Sequence, residues 1–161
     1  MDLYEFAMKM ERDGENYYRE LATKVGNTGL KNILTMLADA EVVHYNIFKK
    51  LKDNEKVKVG NTKILSNAKN IFEKMKEEEE ITGVSSSQIE LYRKAQEIER
   101  KSRNFYLEKA GEVKGKSQKE ILLKVADEEK KHYLILEKII DFVSRPQIWL
   151  ENPEWYHLEE Y

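Results

Sequence analysis

The chain contains no cysteine among its 161 residues. This absence excludes disulfide bonds, thiol catalysis, Cys-ligated zinc and Cys-ligated iron–sulfur centres within the chain. Only two prolines and seven glycines are present. Because these two residue types are the strongest helix breakers, their scarcity favours long, uninterrupted helices.

The sequence also lacks an excess of charge of one sign. Its 28 Lys and Arg nearly balance its 30 Asp and Glu, which gives a net charge of -2 and a pI near 6.0. A chain without a basic surface is not expected to bind nucleic acid. Nothing resembles a signal peptide, and no apolar run approaches the roughly 20 residues that cross a bilayer. We therefore expect a soluble, cytoplasmic protein that makes no use of a membrane.

One stretch of eight residues occurs twice: residues 38–45 reappear, with substitutions, as residues 126–133. The similarity extends without a gap over residues 2–54 and 90–142. An ungapped internal duplication of this length indicates two copies of one structural unit. Each copy carries one isolated Glu and one Glu-x-x-His motif, so both halves are expected to contribute to one site.

Apolar residues in each half recur at alternating steps of three and four, which is typical of helices with one buried face. Each half therefore predicts a helical hairpin, and the 32-residue connection between them contains a shorter helix over residues 63–80. Capping boxes at Asp2, Ser87 and Ser117 predict three of the helix starts. The expected fold is all-α, a four-helix bundle with one long crossover.

The predicted domain covers residues 1–143. It consists of repeat one (2–54), the crossover (55–86) and repeat two (87–143). The following residues, 144–161, are rich in aromatic side chains, which disordered segments usually lack. We expect this tail to pack on its own bundle or on a neighbouring subunit. The apolar faces of the tail and of the crossover helix favour a homodimer.

Each Glu-x-x-His motif lies in the middle of a buried apolar stripe. Glu41 and His44 share one helical face because they are three residues apart, and Glu129 and His132 are arranged in the same way. An uncompensated charge at such a position would cost several kcal/mol or force a large pKa shift. The two motifs therefore require compensation from elsewhere in the bundle.

The other residues of the site are predicted from their distances, along the helices, from the turn of each hairpin. Glu11 and Glu41 are equally distant from the first predicted turn, and Glu99 and Glu129 from the second. Four carboxylates are thus expected to meet in one core layer with two imidazoles. No Lys or Arg lies on these stripes, so two divalent cations would supply the balancing charge. The predicted metal-binding residues are Glu11, Glu41, His44, Glu99, Glu129 and His132.

Carboxylates and imidazoles without thiolates favour two iron ions, with manganese as the alternative, over structural zinc. One Glu from each of two helices and one Glu-x-x-His from each of the other two is a known ligand set of di-iron and di-manganese bundles. Together with the aromatic residues at positions 17–18 and 105–106, these motifs resemble the rubrerythrin branch of the ferritin-like superfamily over residues 2–143. The resemblance implies a ferritin-like bundle in which Glu41 and Glu129 bridge two irons and act as the catalytic residues.

The sequence departs from that family in two respects. Rubrerythrins proper carry a Cys-rich rubredoxin domain, which this cysteine-free chain cannot supply, so we expect an external, rubredoxin-like electron donor protein. They also place an additional carboxylate one helical turn after the third-helix Glu. Here that position is Ser102, and its counterpart in repeat one is Gly14. These small residues are expected to leave space for a small oxidant.

The leading functional hypothesis is an oxidoreductase that reduces hydrogen peroxide or dioxygen at a buried di-iron site. The alternative is a ferroxidase or iron-binding protein for storage or detoxification of iron. A third hypothesis is a metal-free structural bundle, which predicts that replacing Glu41 and Glu129 with Leu would stabilise the fold.

Two further pairs of residues have two interpretations each. Tyr18 and Tyr106 are either hydrogen-bond donors or radical-quenching groups next to the site, or core tyrosines with satisfied hydroxyls. Asp39 and Asp127 either orient a histidine ring or lie on the surface.

Overall fold

The computed structural model describes residues 1–78, 81–146 and 149. Over these residues the chain forms five α-helices and a 3₁₀ turn (Ser86–Gln88), without a strand, as predicted. None of the described helices is both long enough and apolar enough to cross a membrane. The helices are α1 (Leu3–Thr23), α2 (Thr28–Lys52), α3 (Ile64–Glu77), α4 (Ile89–Glu112) and α5 (Lys116–Ser144).

The first two helices begin at side-chain caps. Asp2 Oδ1 accepts a hydrogen bond from the backbone N–H of Glu5 at 2.8 Å, which confirms the predicted start of α1. Asn27 Oδ1 accepts one from the N–H of Leu30 at 3.0 Å. Each cap satisfies a backbone donor that the first turn of a helix cannot satisfy by itself.

The caps predicted at Ser87 and Ser117 are wrong. Ser87 lies inside the 3₁₀ turn, where its N–H donates to Ser85 Oγ at 3.1 Å, and α4 begins after Gln88 without a side-chain cap. Ser117 lies within the first turn of α5, which begins after Gly115. A capping residue has a non-helical backbone and lies immediately before the first helical residue. Neither serine lies at that position.

The helices pair as two hairpins, α1 with α2 and α4 with α5, and contacts between α1 and α4 and between α2 and α5 join them. The short connections at residues 24–27 and 113–115 force each pair to run antiparallel. The duplicated halves of the sequence therefore form the two halves of the bundle.

Two apolar clusters fill the bundle, one towards each end. Along α2, Leu37 belongs to the first cluster and Phe48 to the second, and Glu41 lies between them. Along α5, Leu136 and Val125 flank the second motif in the same way. The charged residues of both motifs thus lie in a layer between two apolar regions that exclude water.

The crossover helix α3 closes the first cluster and also receives the start of the tail. The ring of Phe72 lies 4.8 Å from that of Trp149 and 6.0 Å from that of Phe142, between ring centroids. Trp149 is therefore buried against its own bundle. The rest of the tail, residues 147–148 and 150–161, including the other aromatic residues predicted to pack there, lies outside the described residues.

The crossover rejoins the bundle beside the turn between α1 and α2. Gly83 has φ +77°, and an added Cβ there would lie 2.6 Å from the backbone carbon of Gly26. Asn27 Nδ2 donates to the carbonyl of Thr82 at 3.1 Å. This close backbone approach requires glycine and fixes the end of the crossover.

Candidate metal centre

Six ionisable side chains meet in the layer between the two apolar clusters, and each is at most 3% exposed. One comes from α1, one from α4 and two from each of α2 and α5. The helix heights read from the sequence therefore predicted this meeting correctly. The residues are Glu11, Glu41, His44, Glu99, Glu129 and His132.

The ligand atoms of this layer form two overlapping groups, in each of which the atoms lie within 4.8 Å of one another. Glu41 and Glu129 belong to both groups. The first group adds Glu11 and His44, and the second adds Glu99 and His132. Such an arrangement can hold two ions that share two carboxylates.

The two imidazoles are arranged with approximate twofold symmetry. His44 Nδ1 lies 2.9 Å from Glu129 Oε1 and 3.4 Å from Glu11 Oε2. His132 Nδ1 lies 3.1 Å from Glu41 Oε1 and 3.2 Å from Glu99 Oε1. Each ring therefore contacts the motif carboxylate of the other hairpin, and the two rings stack with centroids 5.7 Å apart. The sequence duplication is thus repeated in the geometry of the site.

Several buried ligand atoms in this layer have no hydrogen-bond partner among the described residues. The 2.9 Å contact of His44 Nδ1 lacks the geometry of a hydrogen bond and only brings two ligand atoms together. Buried polar atoms without partners are costly, and metal ions bound in the two groups would give ligand atoms such as Glu11 Oε2, His44 Nδ1 and Glu129 Oε1 a partner. The atoms are Glu11 Oε2, His44 Nδ1, Glu99 Oε2, Glu129 Oε1 and His132 Nε2.

The four carboxyl groups differ in their affinity for protons. Burial and the repulsion of neighbouring carboxylates raise the pKa of Glu41 and of Glu129 well above the ordinary value. Burial also opposes ionisation of Glu99, but the charge and hydrogen bond of His132 outweigh it and lower the pKa of Glu99 to about 2. The pKa of Glu11 is lowered in the same way, against burial, by His44. The shared carboxyls are therefore the ones that hold protons when no cation is bound.

Tyr18 and Tyr106 are buried core tyrosines, and both donate hydrogen bonds to carboxylates of the site. Tyr18 Oη donates to Glu99 Oε1 at 2.5 Å, and Tyr106 Oη donates to Glu11 Oε1 at 2.7 Å. Each tyrosine thus orients the Glu of the opposite hairpin. Burial and the nearby carboxylates raise the pKa of both phenols well above the ordinary value, so they remain donors.

The structure assigns Asp39 and Asp127 to the surface. Asp39 pairs with Arg19 at 2.9 Å, and Asp127 lies 3.5 Å from Lys131 Nζ. Neither aspartate is near a histidine ring by these contacts, so the surface interpretation is the correct one for both.

The space expected at Gly14 is occupied by the site itself. An added Cβ at Gly14 would lie 3.0 Å from Glu41 Oε2, so the carboxylate of Glu41 packs against this glycine. The absence of a side chain at Gly14 therefore makes room for Glu41 rather than for an oxidant.

One carboxylate next to the site, Glu128, was not predicted from the sequence. Glu128 is only 4% exposed and accepts hydrogen bonds from Thr62 Oγ1 at 2.6 Å and Lys131 Nζ at 3.0 Å. Burial disfavours its ionisation, but these two donors lower the pKa of Glu128. Its counterpart in repeat one is Ala40. The two repeats differ at many other aligned positions, so this difference alone did not identify Glu128.

Comparison with known proteins gives a family but no individual relative. Neither the curated proteins nor the solved structures provide a match. A protein-family model described as Rubrerythrin matches residues 2–140, which include all six residues of the layer.

Proposed function

The chain belongs to the rubrerythrin family, and we propose that its buried layer is a dinuclear iron centre that reduces hydrogen peroxide or dioxygen. The observation that carries this proposal is the membership of Glu41 and Glu129 in both groups of ligand atoms. Two shared carboxylates would hold two ions side by side, close enough to act on the two oxygen atoms of one small molecule.

Each ion would be held by one histidine and one terminal glutamate in addition to the shared pair. Glu11 and His44 would hold one ion, and Glu99 and His132 the other. Four carboxylates supply the four negative charges that balance two divalent cations in a low-dielectric core. Manganese is the alternative to iron because the same oxygen and nitrogen donors suit it.

Reduction of one peroxide to two waters consumes two electrons and two protons and breaks the O–O bond. Two bound ferrous ions would supply one electron each. The residues of the chain would supply the surroundings for this chemistry. The raised pKa values of Glu41 and Glu129 belong to the metal-free layer. With two cations bound, both carboxyls would be ionised ligands, so the two protons would come from solvent. Tyr18 and Tyr106 would keep Glu99 and Glu11 oriented through their hydrogen bonds.

A one-electron donor protein must restore the ferrous state after each turnover. The chain has no cysteine with which to build an iron–sulfur or rubredoxin-type centre of its own. We therefore propose that a rubredoxin-like partner protein donates the electrons. We also propose that the protein is a homodimer.

The test is a stopped-flow comparison of the two oxidants. The protein is loaded anaerobically with about two equivalents of Fe(II), as a paired-ligand site requires, and is mixed with peroxide or with oxygen while near-ultraviolet absorbance is recorded. We expect much faster oxidation by peroxide, complete at one peroxide per chain, with the iron retained. The variant Glu41→Ala should lose this reaction, and Glu97→Ala, which removes an exposed carboxylate of α4, should keep it.

The opposite result would favour the alternative function. Faster oxidation by oxygen, with iron uptake continuing beyond two per chain, would indicate a ferroxidase that stores or detoxifies iron. A protein that binds no iron would contradict both proposals and leave a structural bundle.

A further inference from the structure

A cavity of about 500 Å³ lies beside the metal-binding layer, between α2, the extended part of the crossover and α5. His44 is among the residues that line it, so the cavity extends from the surface to a side chain of the layer. The residues that matter here are Val43, His44, Gly60, Thr62 and Glu128.

The outer wall of this cavity is residues 56–62 of the crossover. These residues belong to no helix and make no backbone-to-backbone hydrogen bond within the described part of the chain. Side-chain contacts hold this segment in place instead. Val57 and Val59 pack on the second apolar cluster, and Lys124 Nζ donates to the carbonyl of Val59 at 2.9 Å. A segment held in this way can open locally without unfolding the bundle.

One of these contacts joins the wall to α5 next to the metal-binding layer. Thr62 Oγ1 donates to Glu128 Oε2 at 2.6 Å, and Lys131 Nζ holds the other carboxylate oxygen. A hydrogen bond to a buried, ionised carboxylate is stronger than one between neutral groups. Thr62, Glu128 and His44 line the same cavity, so the contact holds the wall beside a residue of the layer.

We infer that this cavity is the access route to the metal centre, and that the Thr62–Glu128 hydrogen bond holds residues 56–62 across it and so limits the exchange of divalent cations and peroxide-sized molecules. The inference rests on the proposed function only in taking the layer to bind metal. Glu128 and Thr62 are positioning residues because they act through the crossover and not on the reacting molecule.

The first test removes the hydrogen bond and measures metal exchange. Thr62→Val retains the shape of the side chain and lacks the hydroxyl donor. Co(II) replaces iron as a coloured probe, and its uptake and its loss to excess chelator are followed by visible absorbance. We expect both rates to rise about tenfold, the effect of losing one hydrogen bond to a charged group. The dissociation constant should be unchanged because Thr62 lies in neither group of ligand atoms.

The matched control is Thr23→Val. It also removes a threonine hydroxyl, which donates to the carbonyl of Glu20 at 2.6 Å, but at the end of α1. Cobalt exchange should not change in this variant. Hydrogen exchange of the amides of residues 56–62 should accelerate in Thr62→Val alone. Unchanged exchange rates in Thr62→Val, or a changed affinity with an unchanged uptake rate, would overturn the inference.

A second variant obstructs the cavity. An added Cβ at Gly60 meets no atom within 4 Å, so Gly60→Trp adds bulk at the cavity wall without a backbone clash. Gly111 is equally open but lies on α4, away from the cavity, which makes Gly111→Trp the control. We expect cobalt exchange to slow about tenfold, roughly 1.4 kcal/mol in the barrier, in Gly60→Trp only. Equal rates in both variants would overturn the access route.

These outcomes separate the inference from the proposed function. Cobalt exchange that depends on Thr62 and Gly60, in a protein whose iron is not oxidised by peroxide or oxygen, would keep the route and refute the oxidoreductase. Rapid peroxide reduction, in a protein whose cobalt exchange rate is the same with and without the changes at Thr62 and Gly60, would support the oxidoreductase and refute the route. A protein that binds no cobalt would refute both.

Discussion

Glu41 and Glu129 hold protons more tightly than Glu11 and Glu99, although all four carboxyls are buried. The difference arises from their partners. The charge of a histidine lowers the pKa of Glu11 and of Glu99 against burial, and a tyrosine hydrogen bond adds to each effect. Burial and the neighbouring carboxylates instead raise the pKa of both members of the shared pair. Burial alone therefore does not decide the charge of a core residue, and the surrounding donors do.

The tyrosine donors lead to a prediction about stability. Tyr106→Phe would leave Glu11 Oε1 without its donor in a buried layer. An acceptor left unsatisfied in this way costs about 1–3 kcal/mol. We expect the metal-free variant to lose that much free energy of unfolding, measured by urea denaturation.

Tyr92→Phe is the control for this measurement. Tyr92 is also fully buried, but its hydroxyl has no hydrogen-bond partner among the described residues, and burial raises its pKa to about 12. Removal of an unpaired buried hydroxyl should leave the stability unchanged or raise it. Equal losses in the two variants would show that ring packing, and not the hydrogen bond to Glu11, accounts for the effect.

Gly14 provides a prediction that separates stability from metal binding. In Gly14→Ala the new methyl group would lie 3.0 Å from Glu41 Oε2 and displace that carboxylate. Alanine also favours the helix by up to about 1 kcal/mol. We therefore expect cobalt affinity to fall about tenfold, or about 1.4 kcal/mol, while the metal-free protein keeps its stability.

Gly111→Ala tests whether the helix preference alone explains such a result. Its Cβ would meet no atom within 4 Å, so it should bring the helix benefit without any change in cobalt affinity. If Gly14→Ala binds cobalt as tightly as the unaltered chain, the close packing of Gly14 and Glu41 does not control the position of the carboxylate.

At the scale of helices, prediction from the sequence succeeded where the information is local. The apolar periodicity gave all the helices to within a few residues, and the cap at Asp2 was correct because Asp2 immediately precedes the first turn. The caps at Ser87 and Ser117 were wrong because the helix starts there are shifted by a 3₁₀ turn and by Gly115. A capping motif specifies which residues can cap but does not fix where the helix begins.

The site was predictable in part for the same reason. The six residues of the layer follow from helical spacing and from the duplication, which sequence alone contains. The pairing of Tyr18 with Glu99 and of Thr62 with Glu128 was not predictable. These contacts depend on how the hairpins pack on each other and on the path of the crossover, and neither is encoded in a periodic pattern.

The end of the crossover carries a prediction of its own. Gly83→Ala would place a side chain on a residue with φ +77°, and its Cβ would lie 2.6 Å from backbone atoms of Gly26. Strain of this kind costs about 1–3 kcal/mol. We expect a loss of that size in the free energy of unfolding, with Gly60→Ala, in the open part of the crossover, unchanged. An unaffected Gly83→Ala protein would mean that the crossover does not depend on this contact.

For the whole molecule, the duplication produces a symmetric layer while the crossover makes the two sides different. Repeat two presents Glu128 to the crossover where repeat one has Ala40. An internally symmetric bundle can therefore give its two groups of ligand atoms different access to solvent. The same layer also connects the stability of the whole fold to pH and to metal.

Without metal, the molecule should be most stable in mild acid. Carboxyls with raised folded pKa values, Glu41 and Glu129, bind more protons folded than unfolded, so stability falls as pH rises above their ordinary value of 4.5. The pKa of His44 is raised above 6.5 against burial, chiefly by Glu11, and the stability that it contributes is likewise lost as pH rises through its folded pKa. The lowered pKa of Glu99 acts in the opposite direction, but only between about pH 2 and 4.5. We expect the melting temperature of the metal-free protein to fall from pH 5 to pH 8.

Bound metal should reverse this dependence of stability on pH, because cations and protons compete for the same oxygen and nitrogen atoms. A ligand at a hundred times its dissociation constant stabilises a fold by about 2.7 kcal/mol, and the dissociation constant for Co(II) should decrease as pH rises. The cobalt-loaded protein should therefore melt higher at pH 8 than at pH 5, the reverse of the metal-free protein. Glu41→Gln, which cannot ionise at a shared position, should weaken both trends. A melting temperature that cobalt does not change at any pH would identify the bundle as purely structural. A melting temperature that rises from pH 5 to pH 8 without metal would show that the shared carboxyls are already ionised in the metal-free layer.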